Sequence, residues 1–357
     1  MLTANANGQV DSIAALSRES YRDIALYSVP RDYVALDLSD NTNLWGAPPA
    51  AMRAIAAATE DVVSRYPVAY EPVLAAALAD HVGVSADMIA CGCGSDDVLD
   101  SAIRAFARPG EVLCLPDPSF SMIPVFARTN GLVPVAIPLT DSLDVDVDAI
   151  VATGPRIIYL CTPNNPTGGA LSRETVERIV ERAPGLVIID QAYVEFGGDN
   201  FVDLASNGRP VLLTRTMSKA FGLAGLRVGY GVGAPELIVE ILKARGPYKV
   251  SSLAERAAIA TLKKERAWVT DRINEVVANR SRLRVELEMR GIDSLESAAN
   301  FVLTPVSDCV ALAARLERVG VRVRALPQLR GIGDAIRVAV GPWEIMRRFL
   351  DALEEAA

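Results

Sequence analysis

Apolar positions along the first two thirds of the chain alternate between two patterns. Short continuous runs have the length and apolarity of buried strands: Met88-Ile89-Ala90, Glu111 to Leu115, Leu132 to Val135, Arg156 to Leu160, Leu186 to Ile189, Pro210 to Leu213 and Val228 to Val232. Between them lie stretches with helical spacing, and Pro49 to Thr59 and Pro72 to His81 show that spacing ahead of the first run. Apolar strands separated by helices predict an α/β unit with a mostly parallel, seven-stranded sheet covered on both faces. After about Leu237 the alternation stops. A long helical stretch, Leu253 to Arg290, leads to short strands near Phe301 to Leu303, Val321 to Val323 and Ala335 to Val340, which predicts a smaller α+β domain. Residues through about Tyr27 read as a helical arm, followed by a short apolar run from Val34 to Leu38. The expected division is therefore an arm over 1–40 that contributes to the small domain, a large domain over 41–240 and the small domain over 241–357.

Composition narrows the class. Half of the 357 residues are apolar and 22% are charged, which is ample for a core. A formal charge of −8 argues against a nucleic-acid partner, although a few arginines can still build a local anion site. Met1 to Asp11 is polar without a signal-peptide pattern, and no window offers ~20 uninterrupted apolar residues to span a membrane. Five irregularly spaced cysteines and a single histidine predict neither a disulfide framework nor a metal site, and fit a cytoplasmic location.

In sheets of this kind ligands sit in the loops after the strands. Those loops hold Gly94-Ser95-Asp96, Asp117 to Phe120, Asn164 to Gly168, Asp190 to Tyr193 and Ser218-Lys219. Lys219 stands among small and apolar residues, where desolvation would lower its pKa and make its amine nucleophilic, unless it is simply an exposed lysine. Asp190 ends the strand Leu-Val-Ile-Ile, and a buried acid there needs a cation, either a ligand's ring nitrogen or a structural arginine. Gly94-Ser95-Asp96 opens a helix whose N–H groups could hold a phosphate, or Ser95 could be an ordinary cap.

Four segments in order carry a family resemblance: Pro163 to Gly168, Asp190-Gln191-Ala192-Tyr193, Ser218 to Gly229, and Ile336 to Gly341. From about Tyr27 to its end the chain resembles the fold-type-I pyridoxal 5′-phosphate aminotransferases, specifically the histidinol-phosphate group. That resemblance implies that Lys219 carries the cofactor and moves protons, and that Asp190 pairs with the pyridinium nitrogen. Asn165 and Tyr193 would bond the ring's phenolic oxygen, and Phe120 would stack on its face. Ser95, Asp96, Thr216, Ser218 and Arg227 would hold the 5′-phosphate. Tyr66 would reach the phosphate of a neighbouring subunit's cofactor, which implies a homodimer with shared sites. Arg337 would clamp a substrate carboxylate, while Arg324, Tyr27 and Asn41 would line the substrate pocket. The implied reaction moves an amino group from L-histidinol phosphate to 2-oxoglutarate. An aromatic amino-acid aminotransferase is a rival, as is a decarboxylase or lyase on the same fold.

The chain departs from the family pattern at Gln191, which is expected to point away from the site, and at Thr42, where a glutamate is usual. Trp45 is expected to add bulk beside the substrate. Ala325-Leu326-Pro327 follows Arg324 where an aspartate or aromatic residue is common. Gly229 to Ala234 fits G-x-G-x-x-A but lacks the helix and acid of a dinucleotide site. The arginine-rich stretches 272–290 and 315–324 mix acids with bases and read as solvated helix faces, Arg324 excepted.

Overall fold

A computed structural model describes residues 16–356 apart from 23, 27 and 29–31. Seven strands form the central sheet: β2 (Ile89–Cys93), β3 (Val112–Asp117), β4 (Val133–Pro138), β5 (Ile157–Cys161), β6 (Leu186–Asp190), β7 (Val211–Thr216) and β8 (Val228–Val232). Their order is β2-β8-β7-β6-β5-β3-β4, and β8 alone runs against its neighbours. Each strand matches one of the apolar runs, because strands buried on both faces carry no polar alternation; the edge strand β4 is apolar too, although Val133 is exposed. One face packs Ile89, Ile158, Ile189 and Leu213 into the larger core, and the other packs Leu113, Tyr159, Ile188 and Leu212 into a second cluster.

A three-stranded antiparallel sheet follows, built from β9 (Phe301–Pro305), β11 (Arg324–Leu329) and β12 (Gly333–Ala339) in the order β11-β12-β9. The short strands β1 (Leu36–Asp37) and β10 (Val321–Arg322) pair in parallel, so the segment before the large sheet is tied to the chain's last third. Two expectations need correction here. The stretch 253–290 is two helices, Ser252–Lys264 and Arg266–Glu288, because Glu265 leaves helical geometry and its carboxylate accepts the Ala50 N–H at 2.6 Å. That bond satisfies an otherwise free donor in the first turn of the helix Pro49–Ala56. The run at Val321 is only two residues long, and β11 was not expected because Arg324, Pro327 and Gln328 break its apolar pattern. Of the expected helical arm, the described residues show 3-10 geometry at Leu16 and a 3-10 turn at Glu19–Tyr21.

No helix among the described residues is long and apolar enough to cross a membrane, and none of their His, Cys, Asp and Glu side chains form a metal-sized cluster. Behind the sheet, Arg245 at the end of the helix Pro235–Arg245 meets Glu71 at the start of Pro72–Val82, Nη2 to Oε2 at 2.6 Å, with both side chains fully buried. Removing one member of such a pair strands a charge in the core, typically at about 3–5 kcal/mol. Arg245→Met should therefore lower the urea unfolding midpoint sharply, and adding Glu71→Gln should recover much of the loss. Additive losses would show that the pair is not coupled.

Candidate active site

β2, β3, β5, β6 and β7 end at one edge of the large sheet, and β8, running the other way, begins there. Their loops and the β11–β12 hairpin enclose a cavity of about 1150 Å³. Lys219 and Asp190 both line it.

Lys219 follows β7, and its Nζ donates to the Asp40 carbonyl at 2.9 Å. Burial, and next the nearby Arg337 guanidinium, pull its amine down from 10.5 to about 8. An ordinary exposed lysine would not be held this way. Asp190 ends β6 at 2% exposure, and burial pushes its carboxyl up to about 6. Its Oδ2 accepts from the Tyr159 hydroxyl at 2.8 Å and its Oδ1 from the Ala192 N–H at 3.1 Å. Tyr193 is also buried, with its hydroxyl accepting from Asn41 Nδ2 at 3.2 Å and its ring edge-on to Phe301.

The helix Gly94–Phe106 aims its first turn, Ser95 and Asp96, into the same cavity. Its start lies so close to β8 that a Cβ on Gly229 would sit 2.1 Å from the Ser95 nitrogen, and Gly94 itself has φ +78°. Arg227, just before β8, donates to Asp96 Oδ2 at 3.2 Å and to Ser218 Oγ at 3.4 Å. Ser218 in turn lies 2.9 Å from Thr216 Oγ1. A helix N-terminus, two hydroxyls and a guanidinium thus converge, which is chemistry suited to a phosphate.

The opposite wall comes from the small sheet. Arg324 on β11 and Arg337 on β12 are direct cross-strand partners and both line the cavity. Arg337 bridges to Asn165 Oδ1 at 2.5 Å and to the Ser39 carbonyl at 2.7 Å, so it ties the N-terminal segment to the loop after β5. Phe120, Met122, Leu326 and Leu329 give the cavity an apolar side, and Arg330 reaches Asp117 at 3.7 Å beyond them.

Other expected residues lie elsewhere. Tyr66 is 85% exposed, away from the cavity of its own chain, and packs at a tilt against Tyr248 with ring centroids 5.1 Å apart. Tyr27 lies outside the described residues. Trp45 does not stand beside the cavity; its indole donates to Glu275 on the helix Arg266–Glu288 at 2.6 Å. Gln191 points away from the cavity, donating to the Asp199 carbonyl and accepting from Arg215. Gly229 to Val232 lies within β8, so the G-x-G-x-x-A pattern builds a central strand rather than a dinucleotide loop. Sequence reasoning missed Tyr159, whose one signal was a hydroxyl in the otherwise aliphatic run of β5. It also missed Ser39, which contributes only its backbone.

Residues 33–353 match the family described as aminotransferase class I and II. The chain is 39% identical to a histidinol-phosphate aminotransferase of Roseiflexus castenholzii, over 90% of each chain. It is also 37% identical to an aromatic amino acid aminotransferase of Rhodococcus jostii, over 86% of each. The fold is similar to a histidinol-phosphate aminotransferase of Sinorhizobium meliloti solved in complex with pyridoxal-5′-phosphate: TM-score 0.85, 25% identity, covering 97% of this chain and 99% of that one.

The depressed amine gives a direct test. In cofactor-free protein, acetylation of Lys219 by acetic anhydride, followed by mass spectrometry, should rise with a midpoint near pH 8. A midpoint near 10.5, the value of an ordinary lysine, would remove the case for a desolvated nucleophile.

Proposed function

The chain belongs to the class I and II aminotransferase family, and on that premise we propose that it transfers the amino group of L-histidinol phosphate to 2-oxoglutarate. The observation that carries this reading is the pairing of Arg324 with Arg337 across β11 and β12, on the wall facing Lys219. An enzyme that alternates two substrates in one cavity must seat both. A phosphomonoester and a dicarboxylate share little except oxyanions, and two adjacent guanidiniums suit either. In this reading Arg337 takes the substrate carboxylate and Arg324 the substrate phosphate. The same pocket is also lined by the buried Asn41.

The family's cofactor is pyridoxal 5′-phosphate, which supplies an electron sink for charge formed at the substrate's α-carbon. The residues present fit it. Asp190 is a buried acid suited to a cationic ring nitrogen, and Ser95, Asp96, Thr216, Ser218 and Arg227 form the phosphate cradle. Asn165 gives its carbonyl to Arg337, which leaves its amide N–H groups, with the Tyr193 hydroxyl, for the phenolic oxygen. Phe120 offers an apolar ring face. Lys219, with an amine near 8, can be neutral close to physiological pH and so take and return a proton at the substrate's α-carbon. Tyr66 is turned outward beside the exposed Val63 and Val68, as a residue serving the second subunit of a homodimer would be.

A second reading is favoured by the apolar side of the cavity. Phe120, Met122, Leu326 and Leu329 suit an aromatic side chain, which would make the protein an aromatic amino-acid aminotransferase.

The deciding experiment adds L-histidinol phosphate, phenylalanine or tyrosine to the cofactor-loaded protein and follows its visible absorption. Rapid bleaching by histidinol phosphate is expected, and bleaching by the aromatic amino acids alone would transfer the assignment to the second reading. Arg324→Ala should raise KM for histidinol phosphate about 10–100-fold, the worth of a charged hydrogen bond, with little change for phenylalanine. Equal losses for both donors would dismiss Arg324 as the phosphate ligand.

A further inference from the structure

We propose that Tyr159 is a positioning residue for this reaction: its hydroxyl, donating to Asp190 Oδ2 at 2.8 Å, keeps that carboxyl ionised and fixed in rotation for a cation in the cavity. The proposal rests on the reading of Asp190 as partner of the cofactor's ring nitrogen. β5 and β6 are parallel neighbours with Cys161 opposite Asp190, which puts Tyr159 one pleat back on the same face. Its ring is fully buried, packed in the cluster with Ile157 and Ile188. A buried phenol must find a hydrogen-bond partner, and this one uses a carboxylate.

Thr214 on β7, opposite Asp190, also favours the anion, and the Tyr159 hydroxyl and the Ala192 N–H each donate to one oxygen of the carboxylate. Both fit the anion, whereas a protonated carboxyl would turn a donor toward one of them. The surroundings push the other way. Burial raises the carboxyl most, and Asp96 on the helix Gly94–Phe106 adds a like charge. The Cys161 thiol on β5 and the Tyr193 phenol beyond β6 face the same group. The Tyr159 bond is the largest influence that favours the charged form. Tyr159 does not lose its own proton in exchange, since burial and then the adjacent carboxylate hold its phenol far above the ordinary range.

The test uses Tyr159→Phe, Asp190→Asn and the double variant of the full chain. Phenylalanine keeps the ring, so thermal stability serves as the packing control. In cofactor-free protein, the infrared carbonyl band of protonated Asp190, isolated by difference from Asp190→Asn, should titrate about one pH unit higher in Tyr159→Phe. Affinity for pyridoxal 5′-phosphate by equilibrium dialysis near pH 7 should fall about tenfold in Tyr159→Phe and not fall further when the change is made in the Asp190→Asn background. Replacing Tyr159 by 3-fluorotyrosine, a more acidic donor of nearly the same shape, should move the titration the opposite way, and it keeps the test open if the phenylalanine variant folds poorly. An unmoved titration overturns the proposal alone, as does an equal affinity loss with and without the Asp190 carboxylate. Wild-type cofactor affinity in Asp190→Asn overturns the reading of Asp190, and the proposal with it.

Discussion

A carboxylate and an amine, both removed from bulk water, must be held apart from each other yet open to one cavity. Asp190 and Lys219 meet this demand from the ends of neighbouring strands, β6 and β7. Desolvation acts on them in opposite senses, raising the acid to about 6 and lowering the amine to about 8, so each is brought toward neutral pH. Such a pair can exist only where the backbone is already fixed on every side. A parallel sheet buried on both faces provides that, because the carbonyls and N–H groups of its central strands are satisfied within the ladder.

The second sheet completes the site through charge rather than through apolar packing alone. Arg337 reaches Asn165 on one side and the Ser39 carbonyl on the other, and stands 5.4 Å from the Phe301 ring centroid. One guanidinium therefore joins three parts of the chain that are far apart in sequence. The same cation contributes to the lowered pKa of Lys219, so a guanidinium on the cavity wall also acts on the amine inside it. Asn41 plays a parallel part on the other flank: it donates to Tyr193, and its carbonyl accepts from Asn300 in the loop before β9.

Six of the seven central strands were legible because burial on both faces leaves an unbroken apolar run, the exposed edge strand β4 was legible from its composition alone, and the loops after the strands carry the candidate site residues in a readable order. What escaped notice had weaker signals. β11 is interrupted by Pro327 and Gln328, and its strand character comes from pairing with β12 rather than from its own pattern. The break at Glu265 depends on a partner 215 residues away, at Ala50. Trp45 looked like a cavity residue from its place beside Asn41 and Thr42, but a hydrogen bond to Glu275 turns it to another surface. Tyr159 sits in a strand where any large apolar residue would fill the space, and only its hydroxyl distinguishes it.

The reversed strand β8 links correct folding to the geometry of the candidate anion site. On one side the Gly94 N–H bonds the Arg227 carbonyl, and on the other the Met217 N–H bonds the Val228 carbonyl, so the start of this strand is clamped by both loops of the cradle. A slip of one residue would move Tyr230 from the larger core to the opposite buried face and bring a side chain against the Ser95 nitrogen, where only a glycine fits. A misregistered chain would lose this packing and the proposed phosphate cradle in the same event. If the cradle holds the cofactor's phosphate as proposed, loading would discriminate among registers, since only molecules with the right register in β8 have anywhere to put it.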